Sequence, residues 1–257
     1  MRLPAPPDTL SHDMNPVVLI TGASRGIGAA TALLAAQKGY AVAVNYAHNS
    51  LAADEVVRQI RATGGTAITV QADVAVESQV MSMFDRVDAK LGGLNALVNN
   101  AGVVDVACRV DAMDLARLKR MFDTNVLGAF VCAREAVRRL STLHGGPGGG
   151  IINVSSAAAR LGSAGQYVDY AASKGAIDSL TVGLAKEVAQ EGIRVNAVRP
   201  GIIETDIHAS GGQPDRARQM ASQVPMQRPG SAQEVAQAIL WLMSDEASYT
   251  TGSVLDV

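Results

Sequence analysis

The sequence predicts a single doubly wound α/β domain, in which a parallel sheet of about seven strands carries helices on both faces. Two observations support this prediction. Short apolar runs alternate with longer segments of helical periodicity from residue 17 onward, and the first strand–helix junction carries a glycine-rich loop. Apolar residues make up 48% of the 257 residues and charged residues 18%, so the chain can form the large core that such a domain needs. No linker-like stretch divides residues 17–257, which indicates one domain.

The predicted elements alternate strictly along the chain. Residues 17–21 (V-V-L-I-T) are the first apolar run, which is typical of a strand that helices cover on both faces. The segment that follows is rich in alanine and leucine, has helical periodicity and closes at Gly39. Strands are predicted over residues 17–21, 41–46, 66–71, 95–99, 151–154, 193–198 and 253–257. Helices are predicted over residues 26–38, 50–62 with Ser50 as N-cap, 76–91, 114–140 with a break or separate first turn near Asp111, a segment that carries Tyr170 and ends near residue 190, and 231–243 with Ser231 as N-cap.

The composition argues against several classes of function. A net charge of −2 gives no basis for binding nucleic acid or an anionic membrane surface, and no run of 18 apolar residues is present to cross a membrane. Residues 1–16 contain four prolines and no apolar segment typical of a signal peptide, so we expect a flexible extension, with Met14 as an alternative start. Cys108 and Cys132 are too few and too isolated for a disulfide framework or a zinc site. We therefore expect a cytoplasmic protein without a metal site.

A glycine-rich loop, residues 21–28 (T-G-A-S-R-G-I-G), joins the first strand to the first helix. Gly22 permits a tight turn, and Gly26 lets the backbone approach a pyrophosphate. The N-terminus of the helix presents free N–H groups and a positive dipole end. A glycine cluster in a turn is often only a turn, but its position at the first junction of an alternating chain favours a dinucleotide-binding, Rossmann-type fold.

The residues near this loop favour NADP over NAD. A site for NAD usually has a carboxylate at the end of the second strand, which accepts a hydrogen bond from the ribose 2′-hydroxyl. Here that position is Asn45, and no acidic residue occurs until Asp54. The guanidinium of Arg25 can pair with a 2′-phosphate, and Ser24 and Asn45 can add hydrogen bonds to the same group. The alternative for Arg25 is a solvated loop arginine.

Two further strand ends carry candidate cofactor contacts. Asp73 follows the third strand, where its carboxylate would accept a hydrogen bond from the adenine amino group; the alternative is an N-cap immediately before Val74. Residues 99–102 (N-N-A-G) follow the fourth strand, where small residues let the backbone pass close to the cofactor. For Asn99 we expect a structural role that ties neighbouring strands together.

The candidate catalytic chemistry lies in residues 151–176, which begin as a buried strand and end in a helix. Tyr170 and Lys174 are four residues apart, about one helical turn, so their side chains share one face. An ammonium group there favours the phenolate and lowers a tyrosine pKa that is otherwise about 10. A serine hydroxyl at the end of the strand, from Ser155 or Ser156, would donate a hydrogen bond to a reacting carbonyl.

Six segments occur in one order along the chain: T-G-A-S-R-G-I-G, N-N-A-G, T-N-V-L-G around Asn125, N-V-S-S, Y-A-A-S-K and R-P-G. Together they resemble the short-chain dehydrogenases/reductases over residues 17–257. Among the members of that family, the chain is most similar to bacterial glucose-dehydrogenase-like and 3-oxoacyl-[acyl-carrier-protein]-reductase-like proteins.

The resemblance implies a catalytic group formed by Asn125, Ser156, Tyr170 and Lys174. Tyr170 would donate a proton to the carbonyl oxygen during reduction and accept one during oxidation, while Ser156 would bind that oxygen. Lys174 would lower the pKa of Tyr170 and hold the nicotinamide ribose. Asn125 would kink its helix and hold a water that relays protons. Ser156 lies fourteen residues before Tyr170, one more than in many relatives, so Ser155 stays open as the alternative.

The resemblance also implies a cofactor site that extends beyond the glycine loop. It places the turn at Pro200 and Gly201 over the nicotinamide, with Ile203 and Thr205 at the carboxamide, and predicts a substrate lid over residues 204–225. The complete predicted cofactor site consists of Gly22, Ser24, Arg25, Gly26, Ile27, Gly28, Asn45, Asp73, Val74, Asn100, Ala101, Gly102, Tyr170, Lys174, Pro200, Gly201, Ile203 and Thr205.

A homotetramer is the assembly that the resemblance implies. The helices at 114–140 and around 170–190 would pack across one interface. Small exposed residues such as Ala133, Ala136 and Gly183 would allow the close helix contact that this packing needs.

These expectations lead to an NADP(H)-dependent oxidoreductase that interconverts a small-molecule carbonyl and a secondary alcohol. Sugar dehydrogenase and 3-oxoacyl reductase activities both stay open. An acyl-carrier protein would require a basic patch beside the site, for which the candidates are Arg117, Lys119, Arg120, Arg134, Arg138 and Arg139. The alternative from another class, a catalytically silent NADP-binding protein, is disfavoured because all four catalytic positions are intact.

Overall fold

The computed structural model describes residues 15–257, apart from the side chain of residue 208. The extension expected over residues 1–16 therefore lies, except for its last two residues, outside the described residues, as does Met14. The strands are β1 Val17–Ile20, β2 Ala41–Tyr46, β3 Ala67–Gln71, β4 Leu94–Asn99, β5 Gly149–Val154, β6 Ile193–Arg199, β7 Ile203–Glu204, β8 Gly230–Ser231 and β9 Val254–Asp256. The α-helices are α1 Gly26–Gln37, α2 Ser50–Ala62, α3 Glu77–Leu91, α4 Leu115–Phe122, α5 Gly128–Leu140, α6 Ala158–Leu161, α7 Val168–Val188, α8 Ile207–Ser210, α9 Arg216–Gln219 and α10 Ala232–Met243.

Seven strands form one parallel sheet in the order β3-β2-β1-β4-β5-β6-β9. This arrangement confirms the predicted fold class and strand number. From β1 the chain builds the sheet first toward β3 and then, after crossing back to β4, toward β9. A crevice therefore opens at the carboxyl ends of β1 and β4, which is where ligands bind in sheets of this kind.

The sheet is buried on both faces, because adjacent residues of each strand pack into different layers. Val18 faces a cluster with α1, α2 and α10, whereas Leu19 faces a second cluster with α3, α5 and α7. All four residues of β1 are buried, as the apolar run at residues 17–21 predicts. The core thus lies in two layers, and the polar strand ends remain for the crevice.

The helix caps agree with the sequence in one case and differ in another. Ser231 accepts a hydrogen bond from the Glu234 N–H, and the Glu234 side chain returns to the Ser231 N–H, which confirms the predicted N-cap of α10. For α2 the prediction of Ser50 as N-cap is wrong. The cap is Asn49, whose side-chain oxygen accepts from the Ala52 N–H at 3.0 Å, and Ser50 is the first helical residue.

The long helix predicted over residues 114–140 consists of three parts. A separate 3₁₀ turn at Val110–Ala112 precedes it, as expected near Asp111, and Asp114 caps α4. A π-helical turn at Asp123–Leu127 then joins α4 to α5. Such turns accommodate one extra residue and occur often at functional sites.

The predicted exposure of small residues on these helices is only partly correct. Gly183 is exposed on α7, but Ala133 and Ala136 are buried within their own subunit. Ala136 packs in the cluster that covers β4 and β5, so its small size serves the packing of α5 on the sheet.

Candidate active site

The candidate catalytic stretch begins at the carboxyl end of β5 and enters the first two turns of α7. The last residue of β5, Val154, pairs with Val198 of β6, so the two serines that follow lie beside the end of that strand. The Ser155 N–H donates to the Val198 carbonyl at 2.8 Å. Tyr170 and Lys174 project from α7 one turn apart, as their spacing predicts.

Lys174 is buried beneath the site, with only 4% of its surface exposed. Its Nζ donates to the Val154 carbonyl at 2.8 Å and lies 5.6 Å from the centroid of the Tyr170 ring. Burial lowers the pKa of Lys174 to about 8, although the carboxylate of Asp178, one turn further along α7, opposes this shift. The ammonium is therefore protonated at neutral pH but releases its proton more readily than a solvated lysine.

The dense protein surroundings of Tyr170 raise the pKa of its phenol, and a hydrogen bond with Ser156 partly opposes this change. This direction differs from the expectation that Lys174 lowers the Tyr170 pKa. The physical reason is geometric: the ammonium lies near the face of the ring and bonds to a backbone carbonyl. Desolvation of the phenolate then dominates.

The two adjacent serines have different surroundings. Ser155 is buried, and its hydroxyl donates to the Lys174 carbonyl at 3.2 Å, which fastens β5 to α7. The Ser156 hydroxyl accepts from the Ala158 N–H at 3.1 Å and bonds with Tyr170. Of the two, Ser156 is the serine that faces the phenol.

Asn125 lies in the π-helical turn and links three parts of the site. Its side-chain oxygen accepts from the Val103 N–H at 2.8 Å, and its amide donates to the Val103 carbonyl and to the Ser173 hydroxyl. A Cβ atom built on Gly102 would lie 3.4 Å from both the Asn125 Oδ1 and the Lys174 Nζ. The asparagine and the lysine therefore face each other across a glycine.

The glycine loop forms a cradle that side chains would fill. Gly22 has a φ of +61°, and a Cβ there would lie 2.9 Å from the Ala101 Cα. A Cβ on Gly28 would lie 2.5 Å from the Asn100 Nδ2 and 2.6 Å from the Gly22 carbonyl oxygen. The first N–H groups of α1 have no intrahelical acceptor. Free N–H groups at a helix N-terminus, with backbone exposed beside them, suit the pyrophosphate of a dinucleotide.

Asn100 and Thr21 hold this cradle against the end of β4. The Asn100 amide donates to the Thr21 and Gly22 carbonyl oxygens at 2.9 and 3.0 Å. The Thr21 hydroxyl accepts from the N–H groups of Asn100 and Ala101, both at 3.0 Å. The residues predicted to let the backbone pass the cofactor thus also fasten the glycine loop.

The Asn45 side chain does not have the role that the sequence suggested. It is 1% exposed, accepts from the Gly22 N–H at 3.0 Å, and donates to the carbonyls of Val70 and Ala72. The expectation that it bonds a 2′-phosphate is corrected on this geometry, because every hydrogen of its amide is already engaged. Its hydrogen bonds instead link the glycine loop to β3 and to the residue that follows β3.

The structure excludes one of the two roles considered for Asp73 and supports the structural role expected for Asn99. The Asp73 carboxylate accepts from the Ala75 N–H at 3.0 Å within a turn, and α3 begins later, at Glu77, so Asp73 is not a helix cap. Val74 is buried beside it. Asn99 donates to the Asn153 side chain at 3.0 Å and to the Ala129 carbonyl, which ties β4 to β5 and α5 and confirms its structural role.

The remaining predicted cofactor residues lie in the glycine loop and in the segment that follows β6. Thr205 would touch a Cβ on Gly26, at 3.6 Å. Arg25 is exposed, and its Nη2 lies 3.5 Å from the Ser210 hydroxyl. Ser24 and Ile27 are half-buried in the loop. Pro200 and Gly201 follow β6, where the Gly201 N–H donates to the Val257 carbonyl, and Ile203 is buried in β7, which pairs with β8.

Sequence reasoning missed a buried ion pair next to Tyr170. Arg117 of α4 donates to both carboxylate oxygens of Asp169, at 2.7 and 3.2 Å, and the side chains are 8% and 0% exposed. A second pair joins Arg199 to Asp178 at 2.8 Å, one turn beyond Lys174. No local pattern identifies these partners, because they are 52 and 21 residues apart.

The candidate basic patches are largely neutralised by carboxylates. Arg117 is buried, and Arg120 pairs with Asp105. The three arginines of α5 form ion pairs with acidic residues of α3 and α5: Arg134 with Glu77 and Glu135, Arg138 with Glu135, and Arg139 with Asp85, Asp88 and Glu135. Within residues 15–257, Lys119 is the one member of this set that forms no ion pair.

The described part of the chain contains neither a membrane-spanning helix nor a metal-binding cluster. None of the helices in residues 15–257 has both the length and the apolar character that crossing a bilayer requires. No group of histidine, cysteine, aspartate or glutamate side chains in that part of the chain is arranged to hold a metal ion.

Comparison with known proteins places these features in a wider context. A family model described as enoyl-(acyl carrier protein) reductase matches residues 22–257. The uncharacterized oxidoreductase YgfF of Escherichia coli K12 is 58% identical over 241 residues, which cover 94% of this chain and 98% of that protein. The 3-oxoacyl-[acyl-carrier-protein] reductase FabG of Staphylococcus aureus is 38% identical over 249 residues, 95% of this chain and 97% of that protein. A crystal structure of a short-chain dehydrogenase from Burkholderia cenocepacia in complex with NADP has a TM-score of 0.86 and 35% identity, and the match covers 94% of this chain and 96% of that one.

Proposed function

The chain belongs to the short-chain dehydrogenase/reductase family of oxidoreductases, and from that membership we propose that it interconverts a carbonyl and a secondary alcohol with NADP(H). One observation carries the proposal. Tyr170, bonded with Ser156, lies over a buried Lys174 at the crevice that the glycine cradle borders. In this arrangement the phenol can donate a proton, while the hydroxyl and the ammonium can stabilise developing negative charge.

Tyr170 would transfer the proton to and from the substrate oxygen, with Ser156 and Lys174 assisting. When bound, the nicotinamide supplies a hydride to the carbonyl carbon or removes one from the alcohol carbon. Tyr170 then gives its phenolic proton to the oxygen in reduction and takes one in oxidation. Ser156 donates a hydrogen bond to the same oxygen, and the Lys174 ammonium stabilises the phenolate that reduction leaves behind. Asn125 fixes the segment at Val103 beside this group.

The dinucleotide would lie along the carboxyl ends of β1 and β4. The cradle formed by Gly22, Gly26 and Gly28 would hold the pyrophosphate at the N-terminus of α1. Lys174, Asn100 and the turn at Pro200 would border the nicotinamide half. Asp73 would be close to the adenine half, together with Val74.

NADP is proposed over NAD because the region that would meet the ribose 2′ position offers a cation and no carboxylate. Arg25 is exposed in the glycine loop, and the first acid after β2 is Asp54 in α2. Fluorescence titration of NADPH and NADH tests this choice. We expect NADPH to bind more tightly, and Arg25→Gln to weaken NADPH binding about tenfold while NADH binding changes little. Tighter binding of NADH by the parent protein would refute the choice.

The catalytic proposal is tested by Tyr170→Phe, with Tyr249→Phe as control. Both changes remove one phenolic hydroxyl, but Tyr249 is fully exposed. We expect NADPH oxidation with a panel of ketones, diketones, quinones, sugars and acyl thioesters to identify a substrate. The first variant should then lose at least about 100-fold in kcat and still bind NADPH, while the control keeps parental activity. Parental turnover by Tyr170→Phe would favour the alternative, a catalytically silent NADP-binding protein.

For the substrate we propose a small molecule rather than a carrier-bound acyl chain. The cations that would form a docking patch for an acidic carrier protein are mostly paired with carboxylates, which leaves little unpaired positive charge along α4 and α5. Residues 204–225, which include the short helices α8 and α9, are proposed as the lid over this substrate.

The proposed assembly is a homotetramer. Along the outer side of the α4–α5 segment, Phe122, Leu127 and Phe130 are exposed, and Val182 is exposed on α7. Apolar side chains of this size, next to the exposed Gly183, would be covered by the same helices of a second copy. Sedimentation velocity tests the proposal, and a monomer at micromolar concentration would overturn it.

A further inference from the structure

Arg216 and Arg218 both lie in the segment 204–225, but they differ in their bonding partners. Arg218 is exposed and pairs with Glu204 at 3.1 Å. Arg216, two residues earlier on α9, is half-buried and forms no ion pair with any carboxylate among the described residues. Its Nη1 donates to the Gln213 side chain at 2.9 Å, and its guanidinium carbon lies 5.4 Å from the centroid of the Tyr167 ring. A guanidinium carries five N–H donors, so most of them remain available.

Tyr167 fixes where this guanidinium lies relative to the catalytic group. It is buried immediately before α7, three residues ahead of Tyr170. A Cβ on Gly211 would lie 3.3 Å from the Tyr167 hydroxyl and 3.4 Å from the Val104 side chain. Val104 follows the residue to which Asn125 bonds. Arg216 therefore lies against the residue that immediately precedes α7, within one helical turn, in sequence, of Tyr170.

The other shielded arginines of the fold show how this chain normally satisfies such groups. Arg117 is paired with Asp169, and Arg199 with Asp178 and Asp256. Arg194 donates to four backbone carbonyls. The unused donors of the half-buried Arg216 are accessible to water, and a ligand that supplies acceptors can replace that water. The planar guanidinium matches a carboxylate with two parallel hydrogen bonds.

We propose that Arg216 binds a carboxylate of the substrate, so that the enzyme acts on oxo acids and the corresponding hydroxy acids. This inference rests on the proposed carbonyl–alcohol reaction and names the substrate class for it. The carboxylate would bind to the guanidinium of Arg216 beside Tyr167, and the carbonyl would reach Tyr170 and Ser156. The two oxygens of the carboxylate would take the donors that Gln213 leaves free.

The test compares each oxo acid with its own methyl ester, using the full chain and NADPH. The panel contains 2-, 3- and 4-oxo acids, so that the spacing between carboxylate and carbonyl varies. We expect the parent to reduce at least one acid with a kcat/KM at least about tenfold above that of its ester. Arg216→Gln should lower kcat/KM for that acid by about 10- to 100-fold, mainly through KM, and leave the ester within twofold. Arg216→Lys should fall between the two, since it keeps the charge without the planar fork.

Arg218→Gln is the matched control, because it removes a guanidinium from the same short helix on the solvent side. It should leave both the acid and the ester unchanged. Equal losses for acid and ester in Arg216→Gln would mean that the residue only fastens α9 to Tyr167 and would overturn the proposal. A parent that prefers the esters would do the same.

A second measurement separates this inference from the proposed function. If no carbonyl compound is reduced, the proposed reaction fails, and calorimetric titration of the corresponding hydroxy acids with NADP⁺ present decides the binding question alone. Binding by the parent that Arg216→Gln abolishes and Arg218→Gln retains supports a carboxylate site. Absence of binding by the parent refutes it.

Discussion

The guanidinium of Arg117 holds the carboxylate of Asp169 by two hydrogen bonds, and Asp169 directly precedes Tyr170, the proposed proton donor. The same arginine donates to the Val106 carbonyl at 2.6 Å and to the Cys108 sulfur at 3.0 Å. One side chain of α4 therefore joins the start of α7 to the segment that follows β4. Because the pair is almost fully buried, it fixes these three elements with little freedom to slide.

Removing one partner of this pair should destabilise the fold strongly. Asp169→Asn leaves the buried Arg117 charge without the carboxylate to which it is bonded, and we expect the free energy of unfolding to fall by about 3–5 kcal/mol. Urea denaturation measures the change. Asp111→Asn is the control, since the Arg109–Asp111 pair is exposed at both ends and should affect stability very little. Similar small effects for both variants would show that the buried pair is not required.

The buried lysine makes stability depend on pH in a defined direction. The pKa of Lys174 is about 8 in the folded chain, against 10.5 for the unperturbed group. Between these values the unfolded chain binds a proton that the folded chain has released, so folding becomes more favourable as pH rises through this window. The contribution is at most about 1.4 kcal/mol for each pH unit.

Lys174→Met should remove this contribution. We expect the free energy of unfolding of the parent, measured by urea denaturation at pH 8 and pH 9.5, to change more positively with pH than that of the variant. The comparison with the variant cancels other groups that titrate in this range. Identical pH slopes would contradict the lowered pKa of Lys174.

A methyl group at Gly28 should damage the cofactor cradle. It would lie within 2.6 Å of the Gly22 carbonyl oxygen and closer still to the Asn100 amide, so the loop must shift. We expect Gly28→Ala to lower the free energy of unfolding by about 1–3 kcal/mol and to weaken NADPH binding in a fluorescence titration. Gly93→Ala is the control, because Gly93 is exposed and a Cβ there meets open space. Unchanged NADPH affinity in Gly28→Ala would argue against this loop as the pyrophosphate site.

The side chain of Arg194 stabilises the C-terminal end of α10 by donating hydrogen bonds to backbone carbonyls. Its two terminal nitrogens donate to the carbonyls of Leu242, Met243, Ser244 and Thr250, at 2.7 to 3.3 Å. Arg194→Met removes these donors, and we expect a loss of about 3 kcal/mol in the free energy of unfolding. Arg86→Met, at an exposed arginine of α3, should have little effect. Equal stabilities would mean that water replaces the arginine at those carbonyls.

The alternation of strands and helices was predictable because it depends on local periodicity. The buried strands of a parallel sheet read as short apolar runs, and the bounds of β2 and α2 match the prediction to the residue. The spacing of Tyr170 and Lys174 also determines their shared face, because helix geometry alone requires it.

Features that depend on tertiary contact were not predictable in this way. Asn45 is at the expected strand end, but its orientation follows from the N–H of Gly22 and from the carbonyls of Val70 in β3 and Ala72 just after β3. The raised pKa of Tyr170 depends on where the Lys174 ammonium finds an acceptor. Neither outcome is encoded in the spacing of neighbouring residues.

The pairing of β9 with β6 has a consequence for synthesis on the ribosome. Arg199 bonds to Asp256, and the Gly201 N–H bonds to the Val257 carbonyl, so the turn at Pro200 is held by residues translated more than fifty positions later. A nascent chain would contain the glycine loop and α7 well before this turn has its partners. The end of the crevice proposed for the nicotinamide is thus the part of the site that is completed last during translation.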